Sequence, residues 1–241
     1  MHGLIATGCS TVARTATTAL VFLLAACAVA PPVGDLPSSV AAPRMPVARS
    51  WTYQVRDGYN HGLLRTLRYT VAGIQEGTVT LRVDDVQAGV ASRTTETADG
   101  EPLQLLTPRS LSPVYYTPSY PAYEFPLEVG RHWKRQYAIT QAGGKPVPAQ
   151  VYGRVAGWEH IKVPAGEFDA LRIERASYLK DEEFWRWGTR AYETDWYAPA
   201  VGRFVRHEER SEFYEKSGPG ANIWHRGDWT VLELQSYNAG S

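Results

Sequence analysis

The chain has 241 residues, 25 basic and 25 acidic side chains, 44% hydrophobic and 12% aromatic content. A formal net charge of zero offers no basic excess to a phosphate backbone, which argues against a nucleic-acid partner. Two cysteines are too few for a disulfide-stapled scaffold, so stability must come from an ordinary apolar core.

Residues 1–26 read as an export address and not as structure. Arg14 gives a weakly positive start, and residues 16–26 hold the apolar run Leu20-Val-Phe-Leu-Leu24. That run is short of the roughly 20 apolar residues a spanning helix requires. It ends in Leu24-Ala-Ala-Cys27, the form of a bacterial lipobox, which makes Cys27 the expected lipidated first residue of the mature chain. Cys9 leaves with the signal, so Cys27 would otherwise be a lone thiol in an oxidising compartment, and acylation removes that liability. An ordinary secretory signal with a chance cysteine is the competing reading. Ala28 in place of Asp, by resemblance to enteric sorting rules, implies the outer membrane, facing the periplasm.

Residues 27–49 carry five prolines past Ala28 and no apolar period, which predicts an extended, disordered tether that packs on nothing. Residues 50–241 then form one β-rich domain facing the periplasm. Trp51-Thr-Tyr-Gln-Val55 alternates as a strand does, as do Leu67/Tyr69/Val71 and Val79/Leu81/Val83. Residues 92–97 and 103–106 are further strand candidates. Thr107–Pro126, rich in proline and tyrosine (Tyr115, Tyr116, Tyr120, Tyr123), reads as an irregular connection covering an apolar face, or else a binding lip. Strands follow near Trp133–Ile139 and Val147–Val155. Pro164-Ala-Gly-Glu167 is expected to be the loop of a central hairpin, with Ile161, Val163, Leu171 and Ile173 sharing one buried face. Gly166 is expected at φ > 0. Pro199 and Gly202 mark the turn after a strand over residues 192–196, and residues 203–212 and 229–237 complete the set. The fold class is all-β: an antiparallel sandwich or an open or half barrel.

An internal echo divides this domain. Trp51, Tyr69-Thr-Val-Ala-Gly73 and Leu81-Arg-Val83 recur in the same order as Trp133, Tyr152-Gly-Arg-Val-Ala-Gly157 and Leu171-Arg-Ile173. The echo allows either a duplicated β-block or convergence of common strand starts and ends.

Val163-Pro-Ala-Gly-Glu-Phe168 followed by Trp196-Tyr-Ala-Pro-Ala-Val-Gly202 resembles a V-P-A-G-x-F … W-Y-x-P-x-V-G pattern. That pattern is similar to uncharacterised bacterial envelope proteins of the domain-of-unknown-function 3108-like (TapB-like) group. The resemblance covers roughly residues 127–212. It implies an exported, β-rich, non-enzymatic module and carries over no catalytic residue.

Trp185, Trp187 and Trp196, with Tyr115 and Tyr116, are the candidate ligand or partner contacts. Aromatic faces near Arg186 and Arg190 could stack on a ligand, though strand and core aromatics account for them as readily. The sequence has no G-x-S-x-G elbow, no H-E-x-x-H and no phosphate-binding glycine loop. Its six histidines lack ligand spacing, so no metal and no cofactor is expected. His207 and Glu209 read as a solvated charged edge. The expected function is a non-enzymatic, membrane-anchored binding or interaction module for an unknown protein or hydrophobic ligand. The alternative is a lipid or lipoprotein carrier with an apolar concavity, and an envelope hydrolase ranks third.

Overall fold

The computed structural model describes residues 36–217 and 221–240. The lipidation candidate Cys27 and the signal peptide lie outside the described residues. Twelve strands follow in order: β1 Ser50–Asp57, β2 Leu63–Gln75, β3 Thr78–Asp85, β4 Val90–Thr97, β5 Pro102–Leu106 and β6 Pro113–Thr117. The second six are β7 His132–Gln141, β8 Val147–Val163, β9 Gly166–Leu179, β10 Arg190–Ala198, β11 Arg203–Ser217 and β12 Ala221–Asn238. Each strand pairs antiparallel with the next, and β12 returns to β1 through pairs such as Tyr53↔Leu234 and Val55↔Leu232. The result is a closed up-and-down barrel with no helix among the described residues. A sandwich or half barrel is therefore corrected to a closed barrel. Alternation reports which residues face inward but not whether the first and last strands meet, and closure removes both open edges.

Inward positions are apolar and outward ones polar. Trp51, Tyr53, Val55, Leu67, Leu81 and Leu234 anchor one core cluster, and Trp133, Tyr137, Val151, Val155 and Ile173 a second. Each fully buried aliphatic side chain stabilises by about 1.5–3 kcal/mol. Outward positions carry ion pairs such as Arg154–Glu174 and Arg206–Glu208. A membrane barrel reverses this pattern, with an apolar band outside and polar groups within.

Three expectations change. The connection over residues 107–126 contains β6, because Pro113 occupies the first position of a five-residue strand, where no ladder donor is required. The distal tether is docked and not free: Val40 and Met45 are buried, and Val40 and Leu127 exchange backbone hydrogen bonds of 2.9 and 2.7 Å. The folded unit accordingly starts at Pro37 and not at residue 50.

The third concerns the central hairpin. It is present, but Val163 pairs with Gly166, so only Pro164 and Ala165 form the loop. Gly166 sits at φ 134°, which favours glycine. The ladder shifts register between Val155 and Gly157, leaving Ile161 opposite Phe168 and Leu171 opposite Trp158. Ile161 and Val163 thus share a face with Phe168 and Ala170, not with Leu171 and Ile173. Both sets pack inward because the hairpin tip folds across the barrel end, where the Ala165 N–H donates to the Leu234 carbonyl at 2.9 Å. The same Val-Ala-Gly device shifts the β2–β3 ladder between Val71 and Gly73.

The expected turn at residues 198–202 closes as a tight loop. The Gly202 N–H donates to the Ala198 carbonyl at 2.9 Å, and Gly202 itself is at φ 64°.

Candidate functional site: a charged band inside the barrel

The register of β9, β10 and β11 brings charge into the lumen. Arg175 lies opposite Glu193, and Glu193 opposite Glu209. One step along, Ile173 lies opposite Asp195, and Asp195 opposite His207. All share the inward parity of Leu171, Tyr197 and Val205, so five ionisable side chains line one patch of the inner wall. An unpaired charge there would be costly, and the geometry pairs most of them.

Arg175 is the hub. Its guanidinium donates to Asp195 Oδ2 at 2.9 Å, to Glu193 Oε2 at 2.8 Å and to the Ala122 carbonyl at 3.1 Å. The opposite wall of the site is the segment between β6 and β7. Tyr120 donates to Glu193 Oε1 at 2.6 Å and Tyr123 to Asp195 Oδ2 at 2.7 Å. Both rings also lie over Arg175, with centroids 5.8 and 5.7 Å from the guanidinium carbon. His207 Nδ1 is 2.6 Å from Asp195 Oδ1. The proline- and tyrosine-rich stretch therefore covers the lumen, as one of its two sequence readings holds.

Protonation follows from these contacts. Burial would raise the Asp195 carboxyl, but Arg175 and His207 outweigh it and hold it below the ordinary carboxylate range. Burial would lower His207, and Asp195 overrides it and raises the imidazole above its usual value. Glu209 is raised, first by burial and then by Glu193. Burial pushes the Tyr116, Tyr120 and Tyr123 hydroxyls well up, so they remain neutral donors.

A second arginine sits on the other side of the same space. Arg203 makes two contacts of 3.2 Å with Glu96 and lies over the rings of Trp51 and Tyr69 at 5.1 and 5.6 Å. Between the two arginines runs a cavity of about 120 Å³, bordered by Tyr116, Tyr120, Arg175, Arg203, His207 and Glu209 among others. A single water needs roughly 10–15 Å³ by this measure, so the space holds on the order of ten waters or a small molecule of similar size.

The Asp195–His207 pair has the orientation of a catalytic dyad, but no Ser, Thr or Cys is among the residues bordering the cavity. No cluster of three or more His, Cys, Asp or Glu side chains suited to a metal occurs among the described residues.

The residues singled out from sequence do not converge. Tyr116 borders the cavity, whereas Tyr115, next along the strand, points outward. Trp196 is half-buried against the first core cluster and away from the cavity, donating to Glu159 Oε2 at 2.7 Å beneath Arg206. Trp185 and Trp187 are surface residues of the β9–β10 connection, packed on Phe213 and under Lys216 respectively. His207 and Glu209 are a correction: they face inward and are not a solvated edge, because their parity matches the buried Val205.

No protein-family model matches the chain, and no curated protein matches it. Among solved structures, a candidate lipoprotein from Parabacteroides distasonis is 15% identical, covers 84% of this chain and all of its own (100%), with a TM-score of 0.51. A candidate exported protein with YmcC-like fold from Bacteroides fragilis is 16% identical over 83% of this chain and 99% of its own, at a TM-score of 0.47. The hypothetical lipoprotein YmcC from Escherichia coli K12 is 12% identical over 80% and 86%, at 0.46. The Parabacteroides protein shares this fold. The first of these likenesses concerns architecture alone and transfers no site.

Proposed function

We propose that this chain is a lipid-anchored bacterial envelope protein that binds a small polar ligand inside its barrel and performs no chemistry on it. The observation that carries the binding reading is the cavity between Arg175 and Arg203, bordered by aromatic rings and ionisable groups, with no serine, threonine or cysteine among the residues that line it. Anchoring at Cys27 rests on the lipobox and is supported by the lipoprotein name of the Parabacteroides protein, whereas the outer membrane as destination rests on Ala28 alone. The resemblance of residues 163–168 and 196–202 to uncharacterised envelope proteins points the same way. The carrier reading finds less support, because five ionisable side chains in the Arg175 wall are poor neighbours for a lipid tail. Mass spectrometry of the native, membrane-extracted protein tests both halves. The expected result is a diacylglyceryl-modified Cys27 and a co-purifying small polar molecule; an unacylated N-terminus would overturn the anchor, and bound lipid or an empty barrel the ligand reading.

A further inference from the structure

The Arg175 wall is unbalanced. Two cationic groups, Arg175 and His207, face three carboxylates, Glu193, Asp195 and Glu209. Arg175 engages Glu193 and Asp195, and His207 engages Asp195. Glu209 is left over: among the described residues none donates a hydrogen bond to it. It is enclosed by the barrel wall but keeps some solvent contact, because it borders the cavity. The Tyr116 hydroxyl, on the facing wall, also has no partner among the described residues and borders the same space. A half-buried carboxylate without a protein donor is left to solvent or to a ligand, and a cation that donates hydrogen bonds is the partner that suits it best.

The rest of the cavity says which cation. Tyr116 and Tyr120, with ring centroids 5.4 Å apart, both border this space, and Tyr69 borders it from the Arg203 side. Ring faces attract positive charge. Leu105, Leu106 and Leu232 supply an apolar side that a hydrated metal ion would not use. Resting on the binding reading above, we propose that the lumen is a site for a small primary ammonium with a short alkyl body, its nitrogen donating to Glu209 and Tyr116.

Calorimetric titration of the full-length, detergent-extracted protein with propylammonium chloride tests this, with n-propanol as the neutral isostere and sodium chloride as the ionic control. Propylammonium should bind, while propanol and sodium should not. Glu209→Gln should weaken binding roughly tenfold or more, about 1.4 kcal/mol. Glu208→Gln, which removes a charge paired to Arg206 on the outer face, should leave it unchanged. Tyr116→Phe gives a second, milder loss that does not depend on how Glu209→Gln folds. Equal binding of propanol, undiminished binding by folded Glu209→Gln, or no propylammonium binding by the wild type would each overturn the proposal. Co-purification of a neutral or anionic molecule alongside such a failure would leave the binding reading standing and remove only the ammonium.

Discussion

The barrel contains two buried arginines in similar aromatic cages, and they are held differently. Arg203 faces one carboxylate, Glu96, and stacks on Trp51 and Tyr69. Arg175 faces two, Glu193 and Asp195, beneath Tyr120 and Tyr123, with His207 and Glu209 attached. The first is a one-to-one pair in which the buried Arg203 Nε has no partner; the second is a network in which carboxylates outnumber cations. Their strand contexts correspond: Trp51 lies opposite Tyr69, and Trp133, which opens the second block, lies opposite Gly153. Where the first block fills the space with a tyrosine, the second leaves it to the indole of Trp133, whose nitrogen donates to the Pro121 carbonyl at 3.0 Å and so fastens the covering segment. A one-to-one ion pair between packed rings serves stability. A network with an unmatched carboxylate is where a ligand can contribute.

The sharpest way to separate the two is to remove each arginine. Arg175→Met should cost about 3–5 kcal/mol, because two buried carboxylates lose their partner. Arg203→Met strands only Glu96, and the loss should be smaller and largely recovered in Arg203→Met/Glu96→Gln, both read by chemical denaturation. Equal losses would mean that the extra carboxylate has no energetic weight.

Next in size is Gly153→Ala. Its added Cβ would stand 2.1 Å from the Trp133 ring, so the indole must move. Overpacking of this kind costs about 1–3 kcal/mol, and denaturation together with tryptophan fluorescence would register it. An unchanged midpoint would show that the ring is not fixed there.

pH distinguishes the two cages because only the Arg175 side contains a histidine. His207 is raised, so its contribution is complete below its ordinary value of 6.5 and is lost as pH rises through the higher folded value. Asp195 is lowered, so its contribution is complete above 3.8 and is lost as pH falls through the folded value. Glu209 is raised above 4.5, which favours its neutral form and makes folding less favourable as pH rises through that value. Stability should therefore be greatest in mildly acidic solution and decline toward alkaline pH. His207→Gln should flatten the decline, and a profile identical to wild type would contradict the assignment. The smallest effect is expected at Glu167, an exposed residue of β9 paired with Lys162, where substitution by Ala should not move the melting temperature.

Much of the architecture was legible because alternation is local. Trp51-Thr-Tyr-Gln-Val55 names its own inward face, and so do Leu67, Tyr69 and Val71. Closure was not legible, since it depends on Tyr53 meeting Leu234 from the far end of the chain. Nor was the bend at Gly157, which moves Ile161 to the opposite face from Leu171 through a one-residue shift. The site left a signal of another kind. Arg175 continues the parity of Leu171 and Ile173, Asp195 that of Tyr197, and His207 that of Val205. A charged residue on the apolar parity of a strand is a buried charge in need of a partner, and three adjacent strands supplied five, one from β9 and two each from β10 and β11. Counting tryptophans pointed instead to the outer surface, where Trp185 and Trp187 cap exposed ends of the barrel.

In the proposed function the Arg175 network, and not the Arg203 pair, holds the ligand. The direct measurement is mass spectrometry of small molecules co-purifying with three full-length proteins: wild type, Arg203→Met/Glu96→Gln, and Arg175→Met/Glu193→Gln/Asp195→Asn. Each variant removes an arginine together with the carboxylates it engages, so neither leaves a carboxylate stripped of its arginine. The account predicts a molecule retained by the wild type and by the Arg203 variant and absent from the Arg175 variant; equal retention by both variants would contradict it.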